Sequence, residues 1–388
     1  MQAEGYEIRA VADAGEIQSL RTLWHAWNWH PNVDMDFYQM LNEASVNNAK
    51  PFVLAVSRCG DLHGLVVGRL STEPFRCSAG YWNVGLGQVR HLYVLHGGIL
   101  GCLDQDASDL VARELTARLA VGEADVVVFN HLNTSTALFR SVGERVPRLC
   151  RDLLAKRQPH WRARLPATSA AFLQRLNKKH RYWLRRLEKL IETDFAGQVS
   201  FRKLAGPQEL NDFMACMEEI ASKTYQRRLG AGFRNDMENR CRLAFEAERG
   251  WLRAYLLYLR GRPVAFWVGR VYKNIFFSDT TGYDPEYRKY ELGTVVFMRM
   301  VDELCREGVE AIDFGLGDAQ YKQRFGDESW DEAVVRIFSP RLRGIALNAA
   351  QTCIEGPVVC LRSLLRRSDL QQRLKTLWRK RLLKKSAN

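Results

Sequence analysis

"WLRAYLLYLRGRPVAFWVGRVYKNIFFSDTTGY", residues 251–283, holds three runs rich in β-branched and aromatic residues. Gly261-Arg262 and Lys273-Asn274 separate them, the pattern of a three-stranded meander. "LGTVVFMRMVDELCREG" follows, placing Val296, Met300, Val301 and Leu304 at helical spacing over about 294–306 and stopping at Gly308. The apolar run "VEAIDFGLG" reads as another strand. After it, "DAQYKQRFG" reads as a helix with Asp318 as the expected N-cap and Tyr321, Lys322 and Phe325 on one face. The element order is β-β-β-α-β-α.

The same order is legible upstream. "PFVLAVSRCGDLHGLVVGRL" is a hairpin turning at Gly60-Asp61, and "VRHLYVLHGGILG" is a third strand. "DASDLVARELTARLAVG" is a helix with Asp106 or Ser108 before it and Gly122 after it, and "ADVVVFNHL" is a strand leading into the helix start "NTSTALFRSVGE". Such a repeat of elements without repeat of residues indicates an internal duplication. Between the copies, Thr168-Ser169 are expected to cap one helix from about 170 to 191. Phe172, Leu176, Trp183, Leu184, Leu187 and Leu190 form its apolar stripe, with Lys178, Arg181 and Arg185 on another face. Residues 207–228 read as a further amphipathic helix. The expected division is 1–165, 166–345 and a basic helical tail over 346–388.

Composition narrows the function classes. The chain of 388 residues is 46% hydrophobic and 26% charged, a globular balance with room for two domains. Its net charge of +13 is lopsided: residues 361–388 carry ten Lys/Arg against Asp369, so the body is only mildly basic. Nine scattered cysteines without a CxxC pair suit a reducing, cytoplasmic setting. No signal peptide or transmembrane stretch is expected. HExxH, GxSxG and GxxxxGK[ST] are absent, so zinc-protease, serine-hydrolase and P-loop chemistries are not indicated, and no metal site is expected.

Three linked segments carry a resemblance: "LNKKHRYWLRRLEKL", "GYDPEYRKYELG" and "DFGLGDAQYKQRF". Together they resemble the GNAT acyltransferase superfamily, in particular the CelD-like branch found with cellulose and exopolysaccharide biosynthesis, which is related to FemAB-type aminoacyltransferases. The resemblance spans about residues 170–340. The two-copy order extends it over the N-terminal half as a tandem GNAT architecture, an α+β (mixed α/β) fold in which each domain is a mostly antiparallel mixed sheet flanked by helices. The chain departs from the usual acyl-CoA loop: "RKYELGTV" holds Gly293 but no second glycine in pattern. The start of the following helix still offers free N–H donors to an anion.

The resemblance implies acyl transfer, from acyl-CoA as co-substrate rather than from a bound cofactor, to an amine or hydroxyl of a small-molecule or glycan- or lipid-linked envelope precursor. Such chemistry needs an acceptor-side base, donors for the carbonyl and an acid for the leaving group. Asp313 is either the base or a buried carboxylate paired to Arg181 or Arg185. Tyr321 is the acid candidate by family analogy, with Lys322 neutralising phosphate or developing charge. Both otherwise read as a packed ring and a solvated cation. Tyr283, Tyr290, Gly293 and Thr294 border the expected donor site. Lys178, Arg181, Arg185, Tyr225, Asp318 and Phe325 border the expected acceptor site, with Lys223 and Gln226 near it. Asp284 reads as turn chemistry. The basic tail suits an anionic inner membrane surface or packing on the body. No nucleic-acid partner is expected unless the donor is aminoacyl-tRNA. Two other readings stand open: that tRNA-dependent transfer, and a non-catalytic GNAT-fold binding module.

Overall fold

The computed structural model describes residues 5–43, 49–79, 82–228 and 231–365. The described chain divides into two compact units, residues 5–159 together with 330–365, and His160–Ser329. Among the described residues the second unit is continuous in sequence and lies between the two segments of the first.

In chain order the elements are β1 (Tyr6–Val11), α1 (Ala14–Ser19), α2 (Arg21–Trp27), α3 (Met35–Glu43), β2 (Lys50–Arg58), β3 (Asp61–Ala79), β4 (Trp82–Gly101), α4 (Gln105–Val121), β5 (Val126–Asn133) and α5 (Ala137–Arg145). There follow β6 (Arg157–Arg164), α6 (Ser169–Gln174), α7 (Lys178–Asp194), β7 (Val199–Lys203), α8 (Leu210–Lys223), α9 (Tyr225–Arg228), α10 (Met237–Glu248), β8 (Leu252–Leu259), β9 (Arg262–Tyr272) and β10 (Ile275–Tyr283). The chain continues with α11 (Leu292–Arg306), β11 (Ala311–Leu316), α12 (Gln320–Phe325), β12 (Glu328–Phe338) and α13 (Leu342–Leu365).

In the first unit the strand order is β1-β2-β3-β4-β5-β12, and in the second it is β6-β11-β10-β9-β8-β7. The duplication is real at the level of pairing. β2-β3-β4 and β8-β9-β10 are antiparallel meanders. A helix then crosses over, and the next strand returns parallel: β5 beside β4, β11 beside β10. A further antiparallel strand completes each set, β12 on β5 and β6 on β11.

Strand alternation explains why helices cover both faces. In β8, Tyr255, Leu257 and Leu259 pack with Ile191 of α7 and with Val296, Met300 and Val301 of α11. The intervening Leu252, Ala254 and Leu256 pack with Phe213, Met217 and Ile220 of α8. In β2, Phe52, Leu54 and Val56 meet α4 and α5, while Val53 and Ala55 meet Trp24 and Tyr38.

Several local expectations are corrected by capping. The single helix over 170–191 is two: Thr168 caps α6, and Asn177 caps α7 by accepting from the His180 N–H at 2.9 Å. Residues 207–228 are likewise a one-turn 3-10 segment, α8 and the short α9, broken at Thr224. Asp104, not Asp106 or Ser108, caps α4, accepting from Ala107 N. Asp318 is not the N-cap of α12; that residue is Ala319, which has no side-chain acceptor, and Asp318 instead accepts from the Gln323 side chain. No described helix is long and apolar enough to cross a membrane. The basic stretch 361–388 lies outside the described residues, apart from the backbone of the end of α13.

One feature of the second unit positions everything that follows. β10 and β11 are paired over only three residues, Ile275–Phe277 against Ala311–Asp313, although both strands continue beyond. A bulge at Ser278/Thr280 bends β10 and another at Asp313/Gly315 bends β11, so the parallel pair opens into a fork. Gly269 sits under the fork: a Cβ there would lie 2.4 Å from both the Phe277 carbonyl and the Phe276 ring. Gly269→Ala is expected to destabilise the protein by about 1–3 kcal/mol through this overpacking, measured by urea unfolding. A neutral effect would mean that β10 moves away freely.

Candidate active site at the β10/β11 fork

Asp313 is the last residue of β11 paired with β10 and is 3% exposed. Its neighbours Ile312 and Phe314 belong to the core beneath α11, so the pleat sends Asp313 to the other sheet face. There its Oδ1 lies 2.7 Å from Nε2 of the fully buried His160 and accepts from the Gly315 N–H at 2.9 Å. Its Oδ2 is buried and accepts no hydrogen bond among the described residues; Arg162 Nη2 stands 3.6 Å away. The β6 register explains the company, since Arg162 is paired opposite Asp313 and His160 opposite Leu316. Arg181 and Arg185, the partners expected for a structural Asp313, take no such part. Arg185 is exposed, and Arg181 donates to the carbonyls of Gln174 at 3.1 Å and Leu176 at 2.5 Å, closing the α6 end.

Lys322 and Tyr321 approach β11 from α12. The Lys322 ammonium donates to the carbonyls of Leu316 at 2.7 Å and Gly315 at 3.3 Å, tying the end of β11 to α12. Gly315 has φ +66, a conformation that suits glycine in this bulge. Burial disfavours the charged amine and lowers the Lys322 pKa to about 8, although the Asp313 carboxylate pulls it the other way. Lys322 is thus a buried amine rather than a solvated cation. Tyr321 sets its ring edge-on to Trp267 at 5.6 Å and to Phe314 at 5.9 Å, on the α11 side of the sheet. Phe325 is buried in the core beneath α11.

The other expected positions are spread more widely. Gly293 and Thr294 fall in the first turn of α11, whose N-cap Glu291 makes no side-chain cap and is held by Trp183 Nε1 at 3.2 Å. A side chain at Gly293 would meet only the Tyr283 ring, at 3.8 Å. Tyr283 packs on the core, and Tyr290 is buried with its hydroxyl donating to Asp194 at 2.7 Å. Asp284 caps its turn by accepting from Glu286 N and is bridged by Lys223 at 2.8 Å, the structural role its turn chemistry implies. Lys178 is exposed at the start of α7. Tyr225 lies in α9, with its side chain outside the described residues.

His160 and Arg162 were missed by reading the sequence. They lie about 150 residues from Asp313, and "RQPHWRAR" carries no motif. Only its alternation, with Trp161 and Ala163 turned to the core, marks a strand with two basic residues on one face.

Known proteins match this geometry in fold. Residues 178–323 match the family model described as an acetyltransferase (GNAT) domain. The crystal structure of FemX superposes with a TM-score of 0.56 at 9% identity, over 85% of this chain and 97% of FemX. A conserved protein of unknown function from Bacteroides thetaiotaomicron VPI-5482 superposes with a TM-score of 0.50 at 10% identity, over 85% of this chain and all of that one. Comparison with curated proteins gave no match. Residues 178–323 are thus similar to a GNAT acetyltransferase domain, and the described chain shares its fold with FemX.

The lowered Lys322 pKa has a signed consequence. Its folded-state value of about 8 lies below the ordinary lysine value of 10.5, so between these values the unfolded chain binds more protons and stability rises with pH. Below about pH 8 both states are protonated and the full cost of burying the charge is present, about 3 kcal/mol. Wild-type protein should therefore gain about 2 kcal/mol relative to Lys322→Met between pH 7 and 9.5, read from paired denaturant titrations. Parallel curves for the two proteins would contradict the assignment.

Proposed function

We propose that the β10/β11 fork of the second unit transfers an acyl group from an acyl thioester, acyl-CoA, to an amine or hydroxyl. The observation that carries this reading is Asp313: a buried carboxylate at the fork with one oxygen held by His160 and Gly315 and the other without a hydrogen-bond donor. A buried acceptor left open in this way suits a substrate N–H or O–H. In the proposed reaction Asp313 takes the acceptor proton as nitrogen or oxygen attacks the thioester carbonyl, and His160 positions the carboxylate. The departing thiolate takes a proton from Tyr321, on the opposite sheet face, and Lys322, with its pKa near 8, returns one to Tyr321. The first turn of α11, open above Gly293, takes the phosphates of the donor.

The acceptor we assign, by the CelD-like resemblance, is a cell-envelope or polysaccharide precursor, handled in the cytoplasm. Residues 361–388 supply a basic contact with an anionic membrane surface. The N-terminal copy is the structural one in this scheme.

Asp313→Asn keeps the shape and one acceptor oxygen but removes the base. It should lower kcat/KM by about 10²–10⁴-fold with little change in melting temperature. Full activity in this variant would remove Asp313 from the mechanism. Saturating acyl-CoA should raise the melting temperature, by linkage to about 2.7 kcal/mol at a hundred times Kd. A shift with charged tRNA alone would replace the donor with an aminoacyl ester, and a shift with neither would favour a binding module.

A further inference from the structure

The first unit has a fork of its own at the corresponding place. β4 and β5 are paired in parallel only from His91–Val94 against Val126–Phe129. Beyond Val94, β4 bulges away from β3 over four residues, 95–98, that face one residue of the partner. Beyond Phe129, β5 bulges away from β12, with Asn130 and His131 opposite one residue. Neighbouring bulges re-aim side chains that regular strands would send apart.

What the two bulges bring together is a ligand set. His96, His131 and Glu332 belong to a group whose nitrogen and carboxylate oxygen atoms all lie within 4.8 Å of one another. His131 Nδ1 is 3.2 Å from Glu332 Oε2, and the His96 and His131 rings stack with centroids 4.3 Å apart. Glu332 is 3% exposed and its Oε1 accepts from Trp330 Nε1 at 2.7 Å, which leaves Oε2 turned to the histidines. The His30 ring packs tilted against His96, with centroids 4.1 Å apart.

The backbone is held in unusual conformations to achieve this. His131 has φ +63, rare for a residue with a side chain and found at positions that the surroundings over-determine for function. Gly97 has φ +82, and a Cβ there would fall 2.5 Å from that of His30. Both departures flank the same three side chains.

We propose that His96, His131 and Glu332 bind a divalent first-row transition ion of the zinc class. Two imidazoles and one carboxylate are a donor set for such ions, with one or more positions left open to water or a ligand. With metal–ligand bonds of about 2.0–2.2 Å, tetrahedral donors stand about 3.3–3.5 Å apart. The His131–Glu332 pair, at 3.2 Å, is already close to that spacing, and His96, within 4.8 Å of both, joins it by moving no more than about 1.5 Å. The bound ion fills the first unit's fork, so that the second unit's fork alone is open to a donor. Hydrogen-bonding of Glu332 to Trp330 is the outer contact that orients the ligand.

The test uses the full chain, stripped by chelator and with its exposed thiols, Cys59, Cys102, Cys241, Cys353 and Cys360, blocked. Equilibrium dialysis against Zn²⁺ should retain one equivalent with micromolar or tighter affinity. His131→Asn, chosen because Asn tolerates positive φ, and Glu332→Gln, which keeps the Trp330 hydrogen bond, should each weaken it at least tenfold. Co²⁺ in the unaltered chain should show d–d absorption without thiolate charge-transfer bands, a readout that needs no variant. No stoichiometric retention, unchanged affinity in both variants, or thiolate bands with Co²⁺ would overturn the proposal.

Discussion

The short parallel pairing of β10 and β11 is the constraint on which the second unit depends. Three residue pairs hold the strands together and two bulges then part them. A parallel sheet edge opened in this way leaves backbone donors and acceptors unpaired, and such groups are costly unless something pairs with them. The Lys322 ammonium takes two of the carbonyls, and Asp313 takes the Gly315 N–H. Side chains from β6 and α12 thereby stabilise an opening that the sheet alone would close.

The two units show what one topology does with different side chains. In the second, the fork is lined by an acid, a buried histidine and a depressed lysine, with an aromatic wall of Trp267, Phe314 and Tyr321. In the first, wider bulges fold His96 and His131 inward toward Glu332. Duplication preserved pairing and crossover, which the core requires, and released the fork residues, which it does not. The apolar alternation of β2 and β8 is accordingly alike in kind, while the forks share no residue pattern.

Much of the architecture was legible in the residues because it is local. The meander over 251–283, the helix stopped at Gly308 and the strand after it follow from periodicity and turn residues, and all three lie where the pattern put them. Helix ends were less legible. Asn177 and Asp104 win the caps because their side chains reach N–H groups that other candidates in the same stretch do not. Site partners were least legible: Asp313, Tyr321 and Lys322 share a segment and could be read together, but His160 and Arg162 arrive through strand pairing across half the chain. The same holds for His96, His131 and Glu332, separated by 35 and 201 positions, where no spacing rule for ligands applies.

Backbone hydrogen exchange in the presence of saturating acyl-CoA tests the account most directly, because it reads the fork itself. If the second unit's fork takes the donor, protection should rise over 278–283, 292–295 and 314–317 and leave the corresponding strands of the first unit, 95–101 and 130–133, unchanged. Protection confined to the first unit, or none at either fork while the ligand is bound, would contradict it.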